Sequence, residues 1–431
     1  MATKKKTPAK KTTAKAKKAV AKKTPAKTVV KPAQAVGKAA PLRYAQPFYT
    51  ATPVGQRPET PFGRRMEDFA FQNLGPIPPL KRTPAVMTLA DVIGQAASDA
   101  FAAAGVIRFH AVGDTGRPGG STAEEAVAEQ MSADYKVGQS TSNPAFFFHL
   151  GDVVYGPNKD AGYRDAFYRP YMEYPGKIIA IPGNHDGETY PTTDPVSLEA
   201  FQANFCLPTA TVPPMAKGIG ILRQMVPQPG VYWWLQHELF DLIALYSNCG
   251  EGQGNLTDGK GNQVQLTFLL TSLKNILATR VQSKKTKPLL IATHHPAFSD
   301  GGHTGSAHML EQIDTVCQQA GIVPHLVLAG HAHNYQRFTR TNTITAKPAT
   351  TTFLVAGTGG FGLQPVAAAT HASHPTANSR AAANPPTFDK SLMAYGYLLL
   401  TIGGGKIVAE FWQVPPGTVK PFDSVTIPIQ Q

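Results

Sequence analysis

The sequence predicts an α/β protein in which two β-sheets are covered by helices. Two patterns carry that prediction. From residue 106 onward, short apolar runs of strand character alternate with segments of helical spacing, as chains do when helices pack on the faces of sheets. Five of these runs also end alike, in a residue able to bind a metal. They are 106–112 before Asp114, 145–148 before Asp152, 177–181 before Asn184, 289–293 before His294 and 326–329 before His331. The carboxyl ends of strands are where open α/β sheets collect their ligands.

Taken in order, the chain begins with residues 1–40, which hold 13 Lys and no Arg, Asp or Glu. So little apolar surface cannot offset the entropy of ordering, and a disordered basic tail is expected. The net charge of +13 lies entirely in this tail, because elsewhere 28 basic residues balance 28 acidic ones. Its Lys/Ala/Pro composition is similar to that of linker-histone tails and reads as an attachment to a polyanion such as DNA, RNA, polyphosphate or an anionic membrane surface. A merely solubilising tail is the alternative. Residues 41–85 are Pro-rich with scattered aromatics and are expected to run extended over the domain that follows. The main domain is expected over 86–418, with a C-terminal segment at 419–431.

Within that domain, 88–104 carries Leu89, Val92, Ile93 and Ala96 on one helical stripe. Ser121 and Glu124 have the spacing of a capping box opening a helix. Strands are expected at 106–112, 145–150 and 177–182, as a pair at 231–234 and 240–246, then at 287–293, 325–329, 352–356, 395–402 and 405–413. Helices are expected at 265–280 and 307–320. Tyr163, Tyr168, Tyr171 and Tyr174 read as packing residues, and 358–390 as a mobile loop in which His371 and His374 face solvent. The glycines of 357–362 superficially match a dinucleotide motif. That reading is rejected because no helix opens there.

Three widely spaced cysteines without a C-x-x-C pattern fit a reducing compartment. No run approaches the roughly 18 apolar residues of a membrane span. The N-terminus lacks the apolar core of a secretory signal, so a cytoplasmic, nucleic-acid-associated location is expected.

The chemistry lies at the run ends. A carboxylate such as Asp152 is a hard oxygen donor able to bridge two cations. Tyr155, three residues on, returns to the same side if a helical turn begins there. Its phenol has a free pKa of about 10, so it ligates near neutral pH only against a strongly Lewis-acidic ion, and ferric iron is the obvious candidate. His110 and His149 fall within strands and are expected to be buried and hydrogen-bonded.

The ordered series G-D-x-G at Asp114, G-D-x-x-Y at Asp152 and Tyr155, G-N-H-D at Asn184, H-H-P at His294 and G-H-x-H at His331 and His333 resembles the metallophosphoesterase (calcineurin-like) superfamily. The Tyr of the second motif, and Gly rather than His two places after Asp114, make it similar to the purple acid phosphatase branch. The likeness spans roughly 106–414. It implies a four-layer αββα sandwich and a dinuclear metal-dependent phosphohydrolase, a phosphomonoesterase using metal-bound hydroxide. By the same resemblance Asp114, Tyr155 and His333 hold Fe(III), Asn184, His294 and His331 hold a divalent Fe, Zn or Mn, and Asp152 bridges. Asp186 stands where purple acid phosphatases usually carry Glu, and tuning rather than loss of metal is expected from it. His185 is expected to contact the phosphoryl oxygens. His303, nine residues after His294, occupies the place of the leaving-group proton donor, with His295 and His308 as rivals. For His295 substrate contact is the lesser expectation and a supporting position behind the ligands the greater. The alternatives are a phosphodiesterase or nucleotide pyrophosphatase on the same site, or a nucleic-acid-associated protein in which the tail carries the main role.

The tail yields an expected result of its own. Deleting residues 1–40 leaves turnover of a small phosphoester within about twofold but abolishes salt-sensitive DNA binding. If about eight lysines meet phosphates, log affinity falls against log salt with a slope near −7. Equal DNA affinity of the full chain and the truncated one overturns that role.

Overall fold

In a computed structural model of the chain, the described residues are 76–247, 254–257, 262–301, 303, 305–346, 348–366, 385–415 and 420–429. The basic tail, most of the Pro-rich segment, Cys249, His371 and His374 lie outside them.

The strands, in chain order, are β1 (Val86–Thr88), β2 (Val106–Val112), β3 (Phe146–His149), β4 (Lys177–Ala180), β5 (Trp233–Gln236), β6 (Asp241–Ala244) and β7 (Leu289–Ala292). There follow β8 (Leu326–Ala329), β9 (Tyr335–Asn342), β10 (Ala349–Ala356), β11 (Thr387–Leu392), β12 (Tyr395–Gly403), β13 (Lys406–Val414) and β14 (Asp423–Pro428). They form a six-stranded sheet in the order β14-β13-β12-β2-β3-β4 and an eight-stranded sheet in the order β1-β5-β6-β7-β8-β10-β9-β11. In the first, β2, β3 and the edge strand β4 run parallel. In the second, β6, β7, β8 and β10 do so.

Strand alternation builds the layers. In β3, Phe146 and Phe148 point to one face and join β2 residues Phe109 and Ala111 in a core shared with Leu242, Leu290, Leu326 and Leu328 of the second sheet. Phe148 meets Trp233 of that sheet edge-on, ring centroids 5.6 Å apart. Phe147 points the other way, into a cluster with Val127 and Met131 of the helix Thr122–Ala133 and with Tyr163, Phe167 and Tyr171. On the far face of the eight-stranded sheet, Ile243, Leu289 and Ile291 pack against Leu269 and Leu273 of the helix Val264–Ser283 and Met309 and Ile313 of the helix Ala307–Ala320. The order is helix, sheet, sheet, helix, the αββα sandwich that the sequence implied. Fully burying each such Phe or Leu contributes about 1.5–3 kcal/mol, and the buried tyrosines pack as expected.

Local differences from expectation have plain causes. The segment 88–104 is two helices, Leu89–Ile93 and Gln95–Ala104, because Gly94 takes φ +87° and ends the first. Its start is a capping box, with Thr88 Oγ1 accepting from Asp91 N–H and Asp91 Oδ2 from Thr88 N–H. Ser121 does cap the helix Thr122–Ala133, accepting from Glu124 N–H. Strand β9 has no apolar run to betray it. One of its inward positions is Arg340, buried by a double hydrogen bond to Asp314 (3.0 and 2.9 Å). Strands β11 and β14 are similarly polar. The first begins inside the stretch expected to be loop, and the second adds an edge to the six-stranded sheet.

Candidate metal centre

The five run ends converge. Asp114 follows β2, Asp152 and Tyr155 follow β3, Asn184 and His185 follow β4, His294 follows β7, and His331 and His333 follow β8. Both sheets thus deliver their side chains at the carboxyl ends of parallel strands, where backbone turns expose them. Three of the eight sit in the left-handed region, Asp114 (φ +61°), Asp152 (φ +52°) and His331 (φ +67°). Asp tolerates that conformation. His is also among the residue types found there more often than most, and His331 is held in place by a hydrogen bond from its N–H to Asp114 Oδ2 (2.8 Å).

The side chains fall into two groups. In the first, Tyr155 donates to Asp114 Oδ1 at 3.1 Å, His333 Nε2 lies 3.2 Å from the same oxygen, and Tyr155 Oη and His333 Nε2 are 3.3 Å apart. In the second, Asn184 Oδ1 is 3.2 Å from His294 Nε2 and 2.9 Å from His331 Nδ1. Asp152 reaches the second group through Oδ2, 3.3 Å from His294 Nε2. Ligand-type atoms of Asp152, His294 and His331 all lie within 4.8 Å of one another. All of these charged or imidazole side chains are buried.

The donor set fits metal ions. His294 Nδ1 donates to Leu150 C=O (2.9 Å) and His333 Nδ1 to Gly362 C=O (2.8 Å), which leaves the Nε2 lone pair of each ring facing the cluster. Burial pushes the Tyr155 phenol well above its ordinary pKa, and the Asp114 and Asp152 carboxylates push it further. Without a cation the phenol therefore stays protonated; a strongly Lewis-acidic ion beside two carboxylates reverses that balance. Burial alone would raise Asp152, but His294 and His185 hold it below the ordinary carboxylate range. Burial likewise opposes protonation of His294, yet without a cation Asp152 and Asp114 carry it up to about 9, so a metal bound there would displace the Nε2 proton.

A second layer holds these groups. Asp186 accepts from Gly183 N–H (2.8 Å) and Val153 N–H (3.1 Å) through Oδ2 and from Val154 N–H (3.3 Å) through Oδ1. It ties the loop after β3 to the loop after β4, beside the candidate ligands. His149 accepts from Gly151 N–H and bonds Thr115 Oγ1 at 3.0 Å, while His110 bonds Asp134 and Tyr174. Both are buried and hydrogen-bonded, as expected. His295 is fully buried, bonded to Ser247 through Nδ1 (2.9 Å), with its ring 4.3 Å from that of His331. It backs a candidate ligand. His308 is exposed, its ring turned to Gln312.

Sequence reasoning gave the stretch 357–362 no role, and the structure gives it one. Phe361 N–H donates to Asp114 C=O (3.0 Å), Gly359 N–H to Gly113 C=O (2.9 Å), and Gly362 C=O receives His333 Nδ1–H. A Cβ at Gly357 would collide with Ala332 C=O and lie 2.9 Å from Asp114 Oδ2. The Phe361 ring stacks on Tyr155, centroids 3.8 Å apart at 14°. The strap follows β10, and its signal was a glycine run directly after a strand.

At the rim, His185 and His303 are half-buried. The His185 ring lies 4.3 Å from Tyr155 on centroids, and its N–H on the backbone donates to Asp152 Oδ1 (2.8 Å). Burial would lower its imidazole, but Glu188 and Asp152 raise it to about 10. His303 lies 4.3 Å from His331 and 5.7 Å from His333 on ring centroids. Burial, with His333 and His185 adding to it, lowers that imidazole to about 3.

Residues 107–335, a little over half of the chain, match the family model described as calcineurin-like phosphoesterase. Purple acid phosphatase 21 of Arabidopsis thaliana is similar, 24% identical over 180 residues that cover 41% of this chain and 35% of that protein. The chain thus spans about a third of the length of that curated relative. A solved structure described as GAP50, the anchor in the inner membrane complex of Plasmodium, is similar at 13% identity and a TM-score of 0.47, covering 76% of this chain and 90% of that one. A structure of PhoD is similar at 14% identity and a TM-score of 0.44, covering 75% and 68%. Among the described residues no helix is long and apolar enough to cross a membrane.

Proposed function

The chain belongs to the calcineurin-like phosphoesterase family, and from that premise we propose that it hydrolyses phosphate monoesters at a dinuclear centre of the purple acid phosphatase type. One observation carries the reading. The candidate ligands divide into a Tyr-Asp-His group and an Asn-His-His group, with Asp152 beside both His294 and His185. Asp114, Tyr155 and His333 would hold Fe(III), the harder anionic oxygens gathering on the harder ion. Asn184, His294 and His331 would hold a divalent Fe, Zn or Mn, and Asp152 would serve both. The name of the Arabidopsis relative supports the same branch. Bound there, the metals supply Lewis acidity to a phosphoryl oxygen and lower the pKa of water enough to make it a nucleophile.

The remaining work falls to the chain. His185, its ring set against Glu188 and Tyr155, binds the phosphoryl oxygens and stabilises the charge that grows on them. His303 stands against His331 and His333 and hands a proton to the departing alkoxide. Its lowered pKa belongs to the site without substrate; a dianionic phosphate beside it raises the imidazole toward the working range.

Metal analysis should return two ions per chain, and p-nitrophenyl phosphate should turn over faster than its bis ester. Faster cleavage of the bis ester would move the assignment to a phosphodiesterase or nucleotide pyrophosphatase, and no turnover with metal bound would end it. In the same assay His303→Ala should lower kcat by roughly 10²–10⁴ for alkyl phosphates. It should do far less for p-nitrophenyl phosphate, whose leaving group departs unaided. Equal loss on both substrates assigns His303 to binding.

A further inference from the structure

We infer that Glu188 is a positioning residue for the reaction proposed above, clamping the His185 ring against the site from the next turn of chain. His185 belongs to the short helix Asn184–Gly187, which ends at Glu188. A single turn of helix fixes the backbone of His185 but not its imidazole, which turns freely about χ1 and χ2. Two contacts to the ring remove that freedom, and a third holds the backbone beneath it. Tyr155 lies against one face of the ring. The backbone N–H of His185 is anchored on Asp152 Oδ1. Glu188 Oε1 faces Nδ1 at 2.9 Å, which fixes the turn of the ring and leaves Nε2, the other nitrogen, clear of the carboxylate.

Glu188 is itself held. Tyr190 donates its hydroxyl to Glu188 Oε2 at 2.7 Å. The Tyr190 ring carries the buried Lys159 ammonium at 4.7 Å. Lys159 sits at the start of the segment that follows the G-D-x-x-Y motif. That segment is pinned to the 190–194 turn by hydrogen bonds from Asn158 N–H and Lys159 N–H to the two Asp194 oxygens (2.7 and 2.9 Å). Tyr190 and Asp194 close that turn with a backbone bridge. The carboxylate thus stands on a wall built from two loops, one leaving β3 and one leaving β4. Those same two loops supply Asp152, Tyr155 and Asn184. A clamp built this way sets the angle of Nε2 relative to the candidate ligands, and misplacing a reacting group by about 1 Å costs about 10²-fold in rate.

The inference rests on the phosphoesterase reading, so its test needs a readout that does not. Turnover of p-nitrophenyl phosphate is compared in the wild type, Glu188→Ala, Glu188→Gln, His185→Ala and the double variant His185→Ala/Glu188→Ala, all metal-loaded. Glu188→Ala should lower kcat by about 10–100-fold, with metal content and thermal midpoint unchanged. Glu188→Gln keeps an oxygen able to accept Nδ1–H and should recover most of the rate. In the His185→Ala background, removing Glu188 should have no further effect. A loss from Glu188→Ala that persists in that background, or no loss at all, overturns the clamp. The independent readout is proton–nitrogen NMR of the histidine rings in the zinc-loaded protein. The His185 Nδ1–H resonance should be present in the wild type and absent in Glu188→Ala. Its absence in the wild type also overturns the clamp. Its presence in a protein that hydrolyses no phosphoester leaves the clamp standing and removes the phosphomonoesterase reading.

Discussion

Asp152→Asn should abolish turnover and strip metal from the protein while leaving it folded. The backbone at Asp152 is left-handed, φ +52°, a conformation Asn adopts at least as readily as Asp, so the change removes charge and little else. The side chain is 1% exposed. It meets His294 at 3.3 Å and the backbone N–H of His185 at 2.8 Å. Under the proposed function it is also the acidic side chain that would serve both ions. Removing one partner from a buried charged pair costs about 3–5 kcal/mol. At 1.4 kcal/mol per tenfold, that is a loss of roughly 10²–10⁴ in metal affinity. Metal analysis after exhaustive dialysis should find fewer than two ions per chain, and the far-ultraviolet circular dichroism should match the wild type. Retention of both metals with full turnover would remove Asp152 from the centre.

The second large effect is a colour. A phenolate on Fe(III) gives a ligand-to-metal charge-transfer band in the visible, so the oxidised protein should be violet to pink. Tyr155→Phe takes away the oxygen and keeps the ring, and here the ring is well supported. Phe361 stacks on Tyr155, and His185 lies 4.3 Å away on centroids. The hydroxyl, by contrast, bonds only within the candidate ligand set, 3.1 Å from Asp114 Oδ1 and 3.3 Å from His333 Nε2. The variant should therefore fold, lose the visible band, and bind iron more weakly or hold it as Fe(II). A colourless wild type, fully active with two divalent ions and indifferent to Tyr155→Phe, would replace the ferric site with a divalent pair. The family and the fold would stand.

How much of this was legible beforehand varies with the kind of residue. The central parallel strands and the long helices announced themselves, because their apolar spacing is a local property of the chain. The helix at 307–320 was read to the residue. The polar strands did not. Arg340 lies inside because Asp314, 26 positions away, neutralises it, and no window of sequence contains both. Gly94 broke a helix that its neighbours' stripe continues, since the stripe records side chains and the break is a backbone angle.

The candidate site divides in the same way. The identity of each candidate ligand, and its place at the end of a strand, belonged to the sequence alone, because strand and turn chemistry are written locally. The sequence likewise determined that residues 41–431 carry no net charge and that the basicity lies in residues 1–40. Tertiary structure decided which side chains face one another. It brought Asp114 to Tyr155 and His333, and Asn184 to His294 and His331, by laying two sheets together with their strand ends at one edge. It also supplied what has no signature of its own: Asp186 bridging two loops, the strap at 357–362 under Asp114 and His333, and Glu188 beside His185. These are backbone hydrogen bonds and ring contacts between distant segments. They depend on packing across the sandwich, which one-dimensional periodicity does not encode.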